Sequence, residues 1–363
     1  MNGEKPYDFV PFPKRRPNRE KGAGQDKLNP CLLSGTLELT LRTLTPVHVG
    51  SGYSDFIKAD NQEYLAALQA SKPVREADAV RRRYLIPGSS IKGAVRSIVE
   101  AITRSCVRVT RVKTQLIPDE YAPCDRRKEY KRSDGKKELC LACRLFGAQD
   151  YQGHVRFEDA VAQEGFVPVV GTPPLWSPLG GGEDAKRYKR HGELPQRYLD
   201  DTTRKARGRK FYYHRSVPSN EQTRREFDMR MCIESGAELP LRIHFLNLSK
   251  AELGVLLTAL GLHPKHPFPI KLGGGKPVGL GSVQVVCRQI TLLQGADSLK
   301  ATGRLGQAET LVGDDLNDFL TQCANAANTL IDGDALIDGD ALGKLKTILD
   351  KEGLQETAPA DPY

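Results

Sequence analysis

Leu37, Leu39 and Leu41 alternate with Thr36, Glu38, Thr40 and Arg42. A period of two puts one face of a strand on a core and the other in water, so residues 35–49 read as a strand. Ile91, Val95, Ile98, Val99 and Ile102 recur instead at helical spacing and form the apolar stripe of an amphipathic helix. Pro87-Gly88-Ser89-Ser90 turns the chain just before it, with Ser89 or Ser90 as a natural N-cap. Residues 153–160 read as a further strand, and 224–248 contain another, with Phe227, Met229, Met231 and Ile233 in alternation. Leu253, Leu256, Leu257 and Leu260 mark a second helix over 250–262, and a last strand fills 282–293. Strand, helix, strand, strand, helix, strand is the split βαβ order of a ferredoxin-like α+β fold with large insertions. Residues 53–83 are less regular and contain Asp55 and Asp60.

The interruptions have characters of their own. Residues 1–34 carry Pro6, Pro11, Pro13 and Pro17 among Lys14, Arg15, Arg16 and Arg19. They read as a basic irregular arm, set against a phosphate backbone or neighbouring subunit, or solvated. Residues 106–147 are a cysteine-containing basic excursion. Residues 162–221 are rich in Pro, Gly and charge. Within 186–215, 11 basic residues face 3 acidic ones and are interleaved with Tyr188, Tyr198, Phe211, Tyr212 and Tyr213. Charges that follow phosphates and rings that stack on bases suit single-stranded nucleic acid. No apolar run approaches the ~20 residues of a membrane helix, and the first residues lack an apolar signal core. The expectation is a cytoplasmic protein with no membrane partner.

Charge sharpens the partner. The net charge is +9, yet residues 294–363 hold 13 acidic and 5 basic residues, which leaves +17 on residues 1–293. A basic body with an acidic, partly helical tail points to a polyanion, most plausibly nucleic acid. The tail repeats Leu-Ile-Asp-Gly-Asp-Ala at 330–335 and 336–341. Its Asp-x-Asp lacks the twelve-residue loop and closing Glu of a calcium site, so it reads as a duplicated surface turn.

Of eight cysteines, Cys124, Cys140 and Cys143 include one C-x-x-C pair. In a reduced chain, two ligands on a tight turn and one from a distant loop suit a tetrahedral zinc site. The fourth ligand is assigned to Cys106, with His154 in reserve. Cys31, Cys232, Cys287 and Cys323 read as ordinary small residues. Lys92 and Arg96 stand four apart on the first helix; an anion between them relieves their repulsion, or both are simply solvated. The loop from Gly273 to Gly281 is not a P-loop, because Pro277 follows Lys276 and the order is helix, loop, strand. Its glycines still let a backbone approach phosphates closely. His48, before the turn Val49-Gly50-Ser51-Gly52, is a general base or a structural hydrogen-bonder. Asp55 and Asp60 are loop carboxylates able to bind a divalent metal such as Mg or to act in RNA cleavage.

Together these motifs resemble the RAMP (repeat-associated mysterious protein) superfamily of CRISPR systems. Ile86-Pro-Gly-Ser-Ser-Ile-Lys-Gly-Ala-Val-Arg-Ser97 is very like the family's I-P-G-S-S-[LI]-K-G-x-x-R. His48-Val-Gly-Ser-Gly52, Cys143-Arg-Leu-Phe-Gly147, Gly153-His-Val-Arg-Phe-Glu-Asp-Ala160 and the glycine loop follow in family order. The resemblance covers roughly residues 35–293 and looks most like the guide-binding backbone subunits of type III effector complexes. It implies a ferredoxin-like, RNA-recognition-like domain over 35–293; the acidic tail over 294–363 carries no family motif. It further implies a zinc-knuckle insertion at 106–147 and a thumb at 162–221. It implies guide RNA held by His48, Gly50, Ser51, Ser89, Ser90, Lys92, Arg96, Gly273, Gly274, Gly275, Lys276, Gly279 and Gly281. Target RNA and other effector subunits are the further partners. The family's catalytic aspartate sits just before a Pro-Val/Ile upstream of I-P-G-S-S; here Ser71 and Lys72 precede Pro73-Val74. Asp55 or Asp60 takes that role in an insertion, or the subunit does not cleave. A metal-dependent endoribonuclease, a guide-precursor nuclease using His48 and a protein-only zinc scaffold are the alternatives.

Overall fold

The structure is a computed structural model and describes residues 5–59, 62–76, 79–108, 114–124, 138–162, 169–172, 198–218, 228–293, 308–329 and 335–358. In chain order its elements begin with β1 (Tyr7–Pro11), β2 (Leu33–Thr43), β3 (Gly50–Ala59), β4 (Gln62–Gln69), β5 (Ser71–Glu76), β6 (Ala79–Ile86) and α1 (Gly88–Ile102). Next come α2 (Leu141–Phe146), β7 (Val155–Phe157), β8 (Ala160–Val161), β9 (Val169–Thr172), β10 (Gly208–Tyr212), β11 (Asp228–Met231), β12 (Glu238–Leu248) and α3 (Lys250–Ala259). The chain finishes with β13 (Ile270–Lys271), β14 (Ser282–Leu292), β15 (Glu309–Leu311), α4 (Gly313–Asn328) and α5 (Gly339–Ile348).

The central sheet runs β13-β14-β2-β12-β7, with β15 added on β14, and every pairing in it is antiparallel. Taken without β13 and β15, the frame is β2-α1-β7-β12-α3-β14 with spatial order β14-β2-β12-β7. That is the ferredoxin-like arrangement expected from the periodicities. Leu37, Leu39 and Leu41 point into the core with Leu239, Leu241 and Ile243 of β12 beside them. Ile91, Val95, Ile98, Val99 and Ile102 of α1 are all buried, as their spacing predicts. Each such side chain contributes about 1.5–3 kcal/mol by leaving water.

On the other face of the sheet the alternate residues are polar. Arg42 pairs with Glu238 at 2.6 Å, Arg242 with Glu38 at 3.6 Å and Arg288 with Glu238 at 3.7 Å. His244 bridges Thr36 at 3.0 Å and Glu158 at 2.7 Å.

α3 is apolar on more than one stripe, and the reason is a second partner. Its core side faces the sheet while α4 covers its outer side. The helices touch at Gly254, where a Cβ would lie 2.0 Å from the Cys323 carbonyl oxygen. Ser249 and Glu252 form a reciprocal capping box at the start of α3. The acidic tail is therefore not a loose appendage in its described parts. Leu316, Phe319, Leu320, Cys323, Leu342, Leu345 and Ile348 join the same core as the sheet. In the second copy of the duplicated hexapeptide, Ile337 is buried and Asp338 caps α5 by accepting from the Ala341 amide at 2.9 Å.

Three segments depart from the sequence reading. The arm at 1–34 holds β1, paired antiparallel with β10, and continues as a strap on the domain. Glu20 binds Arg144 at 2.6 Å, and Asn247 donates to the carbonyls of Gly24 and Lys27 at 2.8 and 2.9 Å. The prolines excluded a helix, but an edge strand needs no helix-forming sequence. The less regular stretch at 53–83 forms two hairpins, β3–β4 and β5–β6, that leave Tyr53, Phe56, Leu65 and Val80 exposed. The strand read within 224–248 is two: β11 joins β4 and β9, and only β12 enters the central sheet. Of the thumb expected at 162–221, residues 163–168, 173–197 and 219–221 lie outside the described residues, as do 109–113 and 125–137 of the cysteine insertion.

Candidate nucleic-acid interface and metal centre

β2 ends at Thr43, and the chain crosses toward the glycine loop. The Gly274 amide donates to the His48 carbonyl at 2.8 Å. Gly273 has φ +75°, and a Cβ there would lie 2.1 Å from the same carbonyl oxygen; at Gly281, φ is +83° and a Cβ would lie 2.0 Å from the Leu272 oxygen. Both positions demand glycine by conformation and by space. The His48 ring turns inward and is 4% exposed. Its Nδ1 lies 2.7 Å from the Met231 carbonyl, which fixes the proton on that nitrogen. Burial holds the imidazole below its usual pKa. His48 thus locks two loops together rather than presenting a charged ring.

α1 begins beside this junction. Pro87 precedes it, no side chain caps it, and its first turn carries no acidic residue. The Gly88 amide donates to Asp159 Oδ1 at 3.0 Å, a bond that holds the Asp159 carboxyl below the usual range, and Lys72 also reaches Asp159 at 3.2 Å. Ser89 is exposed and Ser90 half-buried. The helix dipole favours an anion at this end, where the Asp159 carboxylate already takes the Gly88 amide.

These pieces enclose a cleft of about 390 Å³, lined by Gly50, Ser90, Gly93, Gly273, Gly274 and Lys276, with Val49, Ala94 and Ser97 as further walls. The sequence reading named Gly50, Ser90, Gly273, Gly274 and Lys276 but missed Gly93, Ala94 and Ser97. Their signal was present: Ser90, Gly93, Ala94 and Ser97 form a stripe of small residues at helical spacing, off the apolar face of α1. Among the described residues, the ammonium groups of Lys92 and Lys276 have no hydrogen-bond or ion-pair partner. Burial lowers the pKa of both, and the nearby Arg96 charge adds to the effect on Lys92.

Several expected contacts are not placed in this cleft. Gly275, Gly279 and Gly281 are buried and shape the loop from within. Ser51 is exposed and its hydroxyl accepts from the Tyr53 amide at 3.3 Å. Arg96 is 6% exposed and faces away. Its Nε donates to Glu100 at 2.7 Å, Nη1 to the Gly147 carbonyl at 2.8 Å and Nη2 to Cys143 Sγ at 3.3 Å. No anion is needed between Lys92 and Arg96, because Glu100 already serves Arg96. Glu100 also pairs with Arg209 of β10, and burial brings that guanidinium down to about 9. Asp55 is exposed on β3 and accepts from the Phe56 amide at 2.8 Å; it does not line the cleft. Asp60 lies outside the described residues.

At the far end of α1, Cys106, Cys124, Cys140 and Cys143 converge, all buried, with sulfurs within 4.8 Å of one another. Cys106 lies 3.5 Å from both Cys143 and Cys140. Metal–sulfur bonds of about 2.3 Å in a tetrahedron put sulfurs about 3.8 Å apart, so the donor set fits one zinc ion. The surroundings suit thiolates. The Cys106 amide points at Cys140 and the Cys140 amide at Cys124, each at 3.4 Å, and Arg96 supplies positive charge at Cys143. His154 is not a ligand: Nδ1 binds the Leu246 carbonyl at 2.7 Å and Nε2 the Tyr151 hydroxyl at 2.6 Å. Cys31, Cys232, Cys287 and Cys323 stand outside the cluster, and burial lifts the last three thiols to about 12.

A family model described as RAMPs, RAMP superfamily, matches residues 40–284, which is more than half of the chain. No curated protein matches the chain.

Proposed function

The chain belongs to the RAMP superfamily, and from that premise we propose that it holds the guide RNA of a type III CRISPR effector complex. One observation carries the reading. Three separate motifs, the His48–Gly52 turn, the Pro-Gly-Ser-Ser helix start and the glycine loop, line one cleft that contains the unpaired Lys276. A backbone phosphate sits at the N-terminus of α1, within reach of Lys92 and Lys276, while Ser89 and Ser90 offer hydroxyls to the same strand. Gly50, Gly273 and Gly274 let the RNA backbone come close. Contacts of this kind follow the chain of phosphates and are indifferent to sequence, as a guide-binding subunit requires.

Zinc is held by Cys106, Cys124, Cys140 and Cys143 as a structural ion that ties the cysteine insertion to the end of α1. Target RNA, paired to the guide, and neighbouring effector subunits are the remaining partners, in the cytoplasm. No described helix is long and apolar enough to cross a membrane. Binding is favoured over cleavage by two side chains. His48 is buried and committed to Met231, and Asp55 is exposed, outside the cleft, with one oxygen on a neighbouring amide.

Binding of a single-stranded oligoribonucleotide tests the proposal. The double variant Lys92→Gln/Lys276→Gln is expected to bind at least about tenfold more weakly, since each charge-assisted contact is worth roughly 1.5–3 kcal/mol. Asp55→Ala and Asp60→Ala are expected to bind as the parent does. Wild-type affinity in the double variant overturns the placement of the RNA. Loss of target cleavage with retained binding in either aspartate variant turns the reading to the endoribonuclease.

A further inference from the structure

Beside the cleft lies a second, smaller chamber of about 110 Å³, between α1 (Ala94, Ser97, Ile98), β10 (Lys210) and β13 (Lys271). Lys276, Ala94 and Ser97 line both spaces. The charge inventory of the chamber is one-sided: among the described residues, three lysines line it and no carboxylate does. Lys271 is 6% exposed, and its ammonium is held by the carbonyls of Leu280 at 3.0 Å and Gly279 at 3.3 Å. The Lys276 ammonium has no partner among the described residues. Lys210 rests on the Tyr7 ring at 4.0 Å and donates to the Tyr198 hydroxyl at 2.7 Å. Arg215, whose charge bears on Lys271, is paired with Glu356 at 2.8 Å.

Carbonyls orient an ammonium but do not neutralise it, and a buried charge without a counter-charge is costly. A chamber of this size lies below the range of about 300–1,000 Å³ of small-molecule pockets, so it suits one compact group and not a nucleoside. We propose that the chamber is a phosphate subsite: one tetrahedral phosphate group enters past Lys276 and is bound between Lys276 and Lys271. The assignment rests on the RNA reading of the outer cleft, beside which this chamber lies. The phosphate belongs either to the backbone or to the 5′ end of the strand.

Titration calorimetry of the full chain with inorganic phosphate, at constant ionic strength, tests the subsite. Saturable one-to-one binding is expected for the parent chain. Lys271→Met and Lys276→Met are each expected to weaken it about tenfold, the worth of one charge-assisted contact. Arg42→Gln, on the far face of the sheet, is expected to change nothing. Should Lys271→Met fail to fold, Lys276→Met, at a half-exposed position, carries the test. No saturable heat with the parent, or parental binding in the lysine variants, overturns the subsite.

Displacement then separates the sources. Loss of bound phosphate to both 5′-phosphorylated and 5′-hydroxyl oligoribonucleotides assigns a backbone phosphate; loss to the phosphorylated strand alone assigns the terminal one. Displacement by neither overturns the link to RNA. RNA binding without phosphate binding overturns the subsite and leaves the outer cleft standing. Phosphate binding without RNA binding overturns instead the reading on which it rests.

Discussion

Arg96 shows how far a single side chain can depart from its sequence context. In the sequence it is one of two exposed-looking cations four residues apart. In the fold it is a buried fork that joins Glu100, the Gly147 carbonyl and the Cys143 sulfur. The direction of position 96 is set by α2, which packs against α1 through residues some fifty positions away. No local pattern states that. Replacing Arg96 by Met leaves Glu100 with Arg209 alone and removes the donor to the Gly147 carbonyl and the Cys143 sulfur. Denaturant titration is expected to show a loss of about 1–3 kcal/mol, the cost of leaving buried acceptors without their donor. Arg96→Lys is expected to fall between, because one ammonium cannot serve three directions.

By contrast, the nearness of Cys106 to Cys124, Cys140 and Cys143 was legible from the C-x-x-C and the one further cysteine, and the four buried sulfurs do converge while both nitrogens of His154 are spent. Two other histidines carry a pH prediction. Burial brings His214 down to about 3 and His263 to about 4. Between those values and the ordinary imidazole value of about 6.5, the unfolded chain binds more protons than the folded one. Stability is therefore full above pH ~6.5 and falls as the pH drops below it. Urea midpoints measured between neutral pH and pH ~5 are expected to decline, and His214→Phe is expected to flatten the decline.

At the scale of elements, α1 does two jobs from its two ends. Its start faces the cleft, and its end leads to Cys106. Its apolar stripe was plain in the sequence because helical spacing is a local property of the chain. The six-element ferredoxin-like frame was legible for the same reason. The hairpins β3–β4 and β5–β6 were not, because they project from the domain and lack one consistently apolar face. The strand in the arm was hidden in a different way. β1 exists through its partner β10, which lies about two hundred residues on.

The contact between α3 and α4 depends on Gly254. A methyl group there meets the Cys323 carbonyl, so Gly254→Ala is expected to cost about 1–3 kcal/mol by forcing the helices apart, read as a lower melting temperature. In the glycine loop, Gly273→Ala meets the His48 carbonyl and a positive φ. It is expected to weaken RNA binding, as measured by fluorescence anisotropy, because the loop must move away from the cleft wall.

The whole molecule separates its charges without separating into two bodies. The acidic helix α4 and the helix α5 complete the core, while Lys276, whose ammonium has no partner among the described residues, lines the cleft. The open face of the central sheet is a poor alternative site. Glu38, Arg42, Glu238, Arg242 and Arg288 pair among themselves there, and its described residues on β2, β12 and β14 include no Phe, Tyr or Trp. A sheet that reads RNA by stacking presents such rings. Binding at the proposed cleft is instead expected to be electrostatic. The logarithm of affinity is expected to fall linearly with the logarithm of salt concentration, by about 0.7 per phosphate neutralised on a single strand.

The most direct test of the account is the nucleic acid carried by the protein itself. The chain is purified at moderate salt from cells that hold a CRISPR array and its effector subunits, and the bound strand is extracted, sized and sequenced. Guide-derived RNA of defined length is the predicted result. A folded chain that assembles with those subunits yet carries no guide RNA would contradict it.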